Sequence, residues 1–180
     1  RSTIPDRATL IVAFSGGPDS SALLTGLSVL SEKKSFKLIA CHVNHQIRLD
    51  SSEVDQLAAK TIADSIGVEF LATSANVPKV SKEQKISIET AGRTLRYEIL
   101  SQLSKEYDAY GVVTGHTKDD QAETVLLHAG RGTGLKGLVG MEYRSTLKLP
   151  KSDTKLTILR PLLDISRSTI INYCKQRSIQ

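Results

Sequence analysis

Cysteine is scarce in this sequence: among 180 residues only Cys41, inside an apolar run, and Cys174, near the end, occur, and they form no C-x-x-C pair. That argues against a disulfide framework or a zinc site, and a reducing compartment is the expectation. Long apolar runs are missing too. Nothing approaches the roughly 20 residues that a membrane-spanning helix needs, so no membrane partner is expected. The start, residues 1–9, lacks the apolar stretch of a secretion signal. There is no internal repeat and no low-complexity tract. Two familiar phosphate signatures are missing from the turn after the first apolar run as well, since no G-x-x-x-x-G-K-S/T occurs and the glycines at 16 and 17 do not follow the G-x-G-x-x-G spacing of dinucleotide folds.

What remains is an ordinary globular balance, 39% hydrophobic and 24% charged, sized for one domain over residues 1–180. The formal net charge of +5 suits a polyanionic partner without requiring one. Position 1 is Arg rather than Met, and residues 170–180 read as a helix without a Gly or Pro stop, so a fragment of a longer protein is expected.

Leu10 to Phe14 is a continuous apolar run, which suits a strand buried on both faces of a parallel sheet. Further strands are expected over residues 37–43, 68–73, 110–114 and 157–159. Helices are expected over 20–31, 51–66, 88–103 and 118–129. The second of these should bury Val54, Leu57, Ala58, Ile62 and Ile66, with Gly67 closing it. Residues 74–86, polar and containing Pro78, read as an exposed loop, and residues 141–159 as a hairpin-like excursion ending in the last strand. Alternating strands and helices predict a doubly wound α/β fold, a mostly parallel five-stranded sheet with helices on both faces.

In such sheets the first strand-to-helix turn is a common phosphate site. Ser15-Gly16-Gly17-Pro18-Asp19-Ser20 occupies it. Gly16 and Gly17 let backbone N–H groups point at an anion, Ser15 and Ser20 add hydroxyls, and the next helix brings its positive end to the same point. Asp19 would repel a phosphate unless Mg²⁺ lay between them, which makes it a candidate metal ligand. The plain alternative is a turn whose Ser or Asp caps the helix.

The S-G-G-x-D-S signature resembles the pyrophosphate loop of the N-type ATP pyrophosphatases, or PP-loop superfamily, whose members split ATP between its α and β phosphates. Four further blocks follow in order: His42-Val43-Asn44-His45 with Arg48; Glu89-Thr90-Ala91-Gly92-Arg93 with Arg96-Tyr97; residues 115–124, from Gly115-His116 to Glu123-Thr124; and residues 131–138, beginning Arg131-Gly132. Together, from about Leu10 to Gln180, they resemble the N-terminal domain of the tRNA(Ile)-lysidine synthetases, with an adenine nucleotide alpha hydrolase-like fold. That family usually has alanine at Gly92 and histidine at Thr117.

The resemblance implies ATP and Mg²⁺ as cofactors and, as partners, lysine and a tRNA(Ile) bearing a wobble cytidine. It implies catalytic roles for Asp19, Arg93, His116 and Asp120, with Asp19 and Asp120 on the metal. His42, Val43 and His45 would contact the nucleoside, while Glu89, Arg96, Glu123 and Arg131 would contact substrate. The setting is the cytoplasm or else a mitochondrion or plastid, and a homodimer is one arrangement open to the chain. Bland readings stand beside these: Thr117 and Asp120 as a capping box, the stripe Glu89, Arg93 and Arg96 as a solvated helix face, residues 130–140 as a flexible turn. A tRNA thiolase of the same superfamily, or a non-catalytic nucleotide- or RNA-binding module, are the alternatives. The missing C-x-x-C pair speaks against the thiolase.

Overall fold

The computed structural model describes residues 4–47, 49–130, 139–149 and 155–179. In chain order the elements are β1 (Thr9–Ala13), α1 (Pro18–Lys34), β2 (Lys37–Asn44), α2 (Leu49–Ser65), β3 (Glu69–Ser74), α3 (Val77–Gln84), α4 (Ile88–Glu106), β4 (Gly111–Val113), α5 (Lys118–Gly130), β5 (Arg144–Lys148), β6 (Lys155–Leu159) and α6 (Arg167–Gln176). They build one six-stranded sheet in the order β3-β2-β1-β4-β6-β5, parallel except for the edge strand β5. The expected α/β class holds, with six strands instead of five. The extra strand is the first arm of the predicted excursion. Its alternating exposed residues give an edge strand too little apolar signal to read.

β1 shows why the sheet is central. Leu10, Val12 and Phe14 point into one core, with Leu23, Leu24 and Leu27 of α1 and Ala59 and Ala63 of α2. Ile11 points into the opposite core, with Tyr97 and Leu100 of α4 and Ile158 of β6. Each fully buried aliphatic side chain is worth about 1.5–3 kcal/mol, so this short strand anchors both layers. α6 packs on α1 through Ile170, Cys174 and Ala22. Among the described residues no helix is long and apolar enough to cross a membrane.

Three local expectations are corrected. Residues 77–84 form a helix, not a loop: Asn76 caps it by accepting from the Lys79 N–H, and Pro78 sits in the first turn, where its missing N–H costs nothing. Along α2, Val54 and Leu57 are each 66% exposed and Ala58 is exposed, whereas Ala59 and Ala63 are fully buried. The small alanines let the helix lie close to the sheet; Ile62 and Ile66 pack against the same core as expected, and only Val54, Leu57 and Ala58 fall off the buried stripe. The last helix ends at Gln176, with Ser178 in the left-handed region (φ 52°) and the Ile179 N–H donating to the Cys174 carbonyl.

Gly92 lies inside α4, where glycine costs about 0.5–1 kcal/mol relative to alanine. A Cβ there would meet Val77 and His45 at 3.8 Å, ordinary contact. Gly92→Ala is therefore expected to stabilise the chain and raise Tm by a few degrees, at about 2–4 °C per kcal/mol for a chain of this size. A lower Tm in a thermal melt would show that the helix needs the glycine.

Candidate active site

The strand order reverses beside β1: β2 and β3 lie on one side of it, β4 and β6 on the other. Loops leaving the carboxyl ends of β1 and β4 therefore face each other across a crevice, the usual ligand position in an open α/β sheet. Residues 15–20 form one loop and residues 114–117 the other. Gly16 takes φ +84°, and a Cβ on it would come within 3.2 Å of the Ala59 Cβ, so both the turn and the packing against α2 call for glycine. Ser15 Oγ lies 3.1 Å from Ser20 Oγ and accepts from the Gly17 N–H, while the Ser20 hydroxyl donates to the Gly17 carbonyl. The Ncap of α1 is Gly17, with no side-chain cap. The plain capping reading thus fails for α1, and its first N–H groups stay available to an anion.

A cavity of about 700 Å³ opens over these loops. Ser15, Asp19, Ser20, His42, Val43, His45, Arg96, His116 and Asp120 all line it, which brings most of the candidate residues together, with Gly16 and Gly17 in the loop beneath. Arg93 and Glu89 are exposed on α4, Arg93 with its guanidinium carbon 5.2 Å from the Tyr97 ring centroid. Glu123 lines a neighbouring groove on α5 with Leu126 and Leu127. Arg48 and the block 131–138, Arg131 included, lie outside the described residues.

The carboxylates fit a divalent cation. Asp19 Oδ1 is buried without a hydrogen-bond partner. Burial raises the Asp19 carboxyl above its ordinary 3.8; Asp120 and Asp119 push the same way and Arg167 opposes them. Among the described residues no three His, Cys, Asp or Glu side chains converge as a ready metal cage. Mg²⁺ needs none, since it is commonly held by one or two carboxylates plus substrate phosphates. Asp120 also caps α5: its Oδ2 accepts from the Thr117 N–H and hydroxyl, each at 2.7 Å. The capping reading and a place at the cavity coexist in this residue.

The histidines are kept neutral. His42 Nδ1 lies 3.1 Å from the Phe14 carbonyl, which assigns the ring proton to Nδ1. Burial lowers the His42 pKa; burial, then Arg96 and His42, lower that of His45, whose Nδ1 is buried without a partner. Burial and then Arg160 hold His116 down at about 4, with Asp120 opposing; its Nδ1 lies 2.8 Å from Thr114 Oγ1. Two neighbours had no role in the sequence reading. Tyr97, quoted in the second block, is 3% exposed and carries Arg93 and Arg96 against its ring. Arg160, in no motif block, is 7% exposed behind the wall. Only its place just past an apolar strand could have marked it.

An open parallel sheet with an uncapped glycine loop and two carboxylates at the point where strand order reverses defines a nucleotide-binding α/β domain of the phosphate-loop kind. More narrowly, the chain belongs to the PP-loop domain family, whose model matches residues 3–180. It is 37% identical over 167 residues to a tRNA(Ile)-lysidine synthase of Clostridioides difficile, covering 92% of this chain and 34% of that protein. It is 34% identical to the synthase of that name from Clostridium acetobutylicum, covering 99% of this chain and 37% of that protein. The chain thus spans about a third of the length of these curated relatives. Among solved structures, a U34-tRNA thiolase from Methanococcus maripaludis superposes with TM-score 0.79 at 21% identity, over all of this chain and 59% of that one. An NH3-dependent NAD synthetase from Campylobacter jejuni superposes with TM-score 0.59 at 15% identity, over 97% of this chain and 66% of that one. Both likenesses bear on the fold.

His116 is expected to stay neutral at pH 6 and titrate near about 4. Because its folded pKa is depressed, the stability it contributes is present above 6.5 and is lost as pH falls from 6.5 through about 4. NMR titration of its ring nitrogens measures this directly, and a midpoint at or above 6.5 would refute the burial argument.

Proposed function

We propose that this chain is the ATP-splitting, adenylating domain of a tRNA(Ile)-lysidine synthase. One observation carries the reading: Asp19 and Asp120 line the same cavity as His116 and Arg96, above a phosphate loop, in a chain whose curated relatives of that name match 92–99% of its length. The reaction has two steps. The carbonyl oxygen of the wobble cytidine attacks the α phosphorus of ATP, and the bond to pyrophosphate breaks. The amine of lysine then attacks the activated ring carbon, AMP departs with the C–O bond, and the amine loses a proton.

The first step needs a weak nucleophile held in line and stabilisation of the charge gathering on the leaving group. The loop N–H groups at the start of α1, with Ser15 and Ser20, bind that leaving pyrophosphate. Asp19 and Asp120 would hold Mg²⁺, which when bound supplies charge neutralisation at the phosphates. Arg96 adds positive charge from the cavity wall, and Arg93 adds it from the rim. His116, neutral with a pKa of about 4, is a poor proton store at neutral pH. It serves better as a hydrogen-bonding group that orients the base. His42, Val43 and His45 border the nucleoside end. Glu123 and Glu89, both exposed, are placed for the RNA side rather than for ATP.

The thiolase reading has a fold neighbour in its favour, but both cysteines of this chain are buried. Burial pushes the Cys41 thiol up to about 12, and the Cys174 thiol donates to the Pro18 carbonyl, so neither is primed to carry sulfur. The bacterial origin of the relatives supports a cytoplasmic setting.

Incubating the full-length protein with ATP, Mg²⁺, radiolabelled lysine and unmodified tRNA(Ile) should place label in the tRNA. Sulfur incorporation without lysine label would overturn the reading. Asp19→Asn should abolish ATP–pyrophosphate exchange in the presence of the tRNA, while exchange at the wild-type rate would remove Asp19 from the metal site.

A further inference from the structure

Arg160 follows β6 directly and is almost wholly buried. One guanidinium nitrogen, Nη1, donates to the Glu142 carbonyl at 2.9 Å and to Ser145 Oγ at 2.8 Å. Tyr97 is its main electrostatic neighbour, and its Nε is buried without a partner. Among the described residues the ion pairs are Lys37–Glu69, Lys60–Asp64 and Lys79–Glu83, so no carboxylate there pairs with Arg160. The exposed Glu142 carboxylate faces it without forming an ion pair, and a guanidinium buried without a paired carboxylate is costly. Anchoring the start of β5 would need only the bonds to residues 142 and 145, which a neutral side chain could make. The charge itself calls for another explanation.

Its surroundings give one. Tyr97 is the ring against which Arg93 and Arg96 rest, with guanidinium carbons 5.2 and 5.8 Å from the centroid. On the other side, the Thr114 N–H donates to the Leu159 carbonyl, which holds the end of β4 beside residue 160, and the Thr114 side chain meets His116. The charged groups facing His116 are Arg160 at the end of β6, Asp120 on α5, and Arg96 and Arg93 on α4.

We propose that Arg160 is a positioning residue of the adenylation centre: from behind the cavity wall it fixes the Tyr97 ring that orders Arg93 and Arg96, and it keeps a permanent positive charge behind His116. This rests on the site being the adenylation centre argued above. Arg160 does not line the cavity, so it acts through Tyr97 and His116 rather than on substrate.

The test uses Arg160→Gln, Arg160→Lys and Tyr97→Phe in the full-length protein, with two readouts. NMR titration of the His116 ring needs no substrate. ATP–pyrophosphate exchange with tRNA separates kcat from KM. Arg160→Gln should raise the His116 midpoint measurably above about 4, with burial still holding it below 6.5, because a repelling charge is gone. It should also lower kcat about tenfold or more, with KM for ATP within about twofold because the phosphate loop is untouched. Arg160→Lys should keep the low midpoint and still lose kcat, since ammonium lacks the planar fork. Tyr97→Phe should lower kcat and leave the midpoint in place. A folded Arg160→Gln with midpoint and kcat both unchanged overturns the proposal. If that variant does not fold, unchanged kcat in both Arg160→Lys and Tyr97→Phe overturns it. An inactive wild-type protein would instead count against the lysidine reading, with the titration still deciding the role of Arg160.

Discussion

The left-handed turn at Gly16 is the constraint on which the site depends. Its φ of +84° sends the chain from the end of β1 into α1 with no side chain between the loop and Ala59. Any larger residue would carry both a strained backbone and a collision with α2. Because the turn closes tightly, Gly17 rather than a side-chain cap starts α1, and the first amides of that helix face the crevice. Two neighbours keep them there. The Ser21 hydroxyl donates to the Gly16 carbonyl, and α6 packs on α1, with the Cys174 thiol donating to the carbonyl of Pro18. An anion site made of backbone needs this support, because backbone donors cannot adjust as side chains can.

Around that loop the electrostatics are arranged for charges the protein does not itself contain. Asp19 holds a buried oxygen with no donor, three histidines are kept neutral by burial, and three arginines gather about Tyr97 with no carboxylate partner among the described residues. In a self-sufficient core each would be a defect. Here the negative side lies beside the phosphate loop and the positive side across the cavity, the division that the proposed magnesium nucleotide and RNA substrate would call for. The same separation explains why Asp19 keeps a raised pKa though Arg167 is near: burial and two neighbouring carboxylates outweigh one cation.

Much of this was legible in the sequence, for physical reasons. β1 and β2 could be read because strands buried on both faces are apolar throughout, and the phosphate loop because only glycine fits its turn. The edge strand β5 and helix α3 were harder to read. The first alternates exposed residues, and the second depends on one Asn cap and a proline in its first turn. In α2 the expectation held for Ile62 and Ile66 and failed nearer its start, because burial there is set by closeness to the sheet, which favours Ala59 and Ala63 over the bulkier Val54 and Leu57. Arg160 was barely legible, marked only by its place just past an apolar strand. Its meaning comes from strands β4 and β6 lying side by side, a pairing across more than forty residues that no local pattern encodes.

The block from Gly115 to Thr124 shows how a motif divides between chemistry and construction. Asp119 accepts from the Arg167 N–H and so ties the start of α6 to α5. The Gln121 amide donates to the Met141 carbonyl and accepts from the Met141 N–H, and it lies so close to Gly140 that a Cβ there would approach it to 2.8 Å. Thr117 and Asp120 cap the helix, and the Thr124 hydroxyl bonds the Asp120 carbonyl. Half of a block that reads as catalytic therefore builds the platform that aims the rest. α5 buries no residue of its own, so these polar ties are what hold it in place. Loss of Gln121 or Asp119 would therefore act on the proposed centre indirectly, through the orientation of Asp120 and His116.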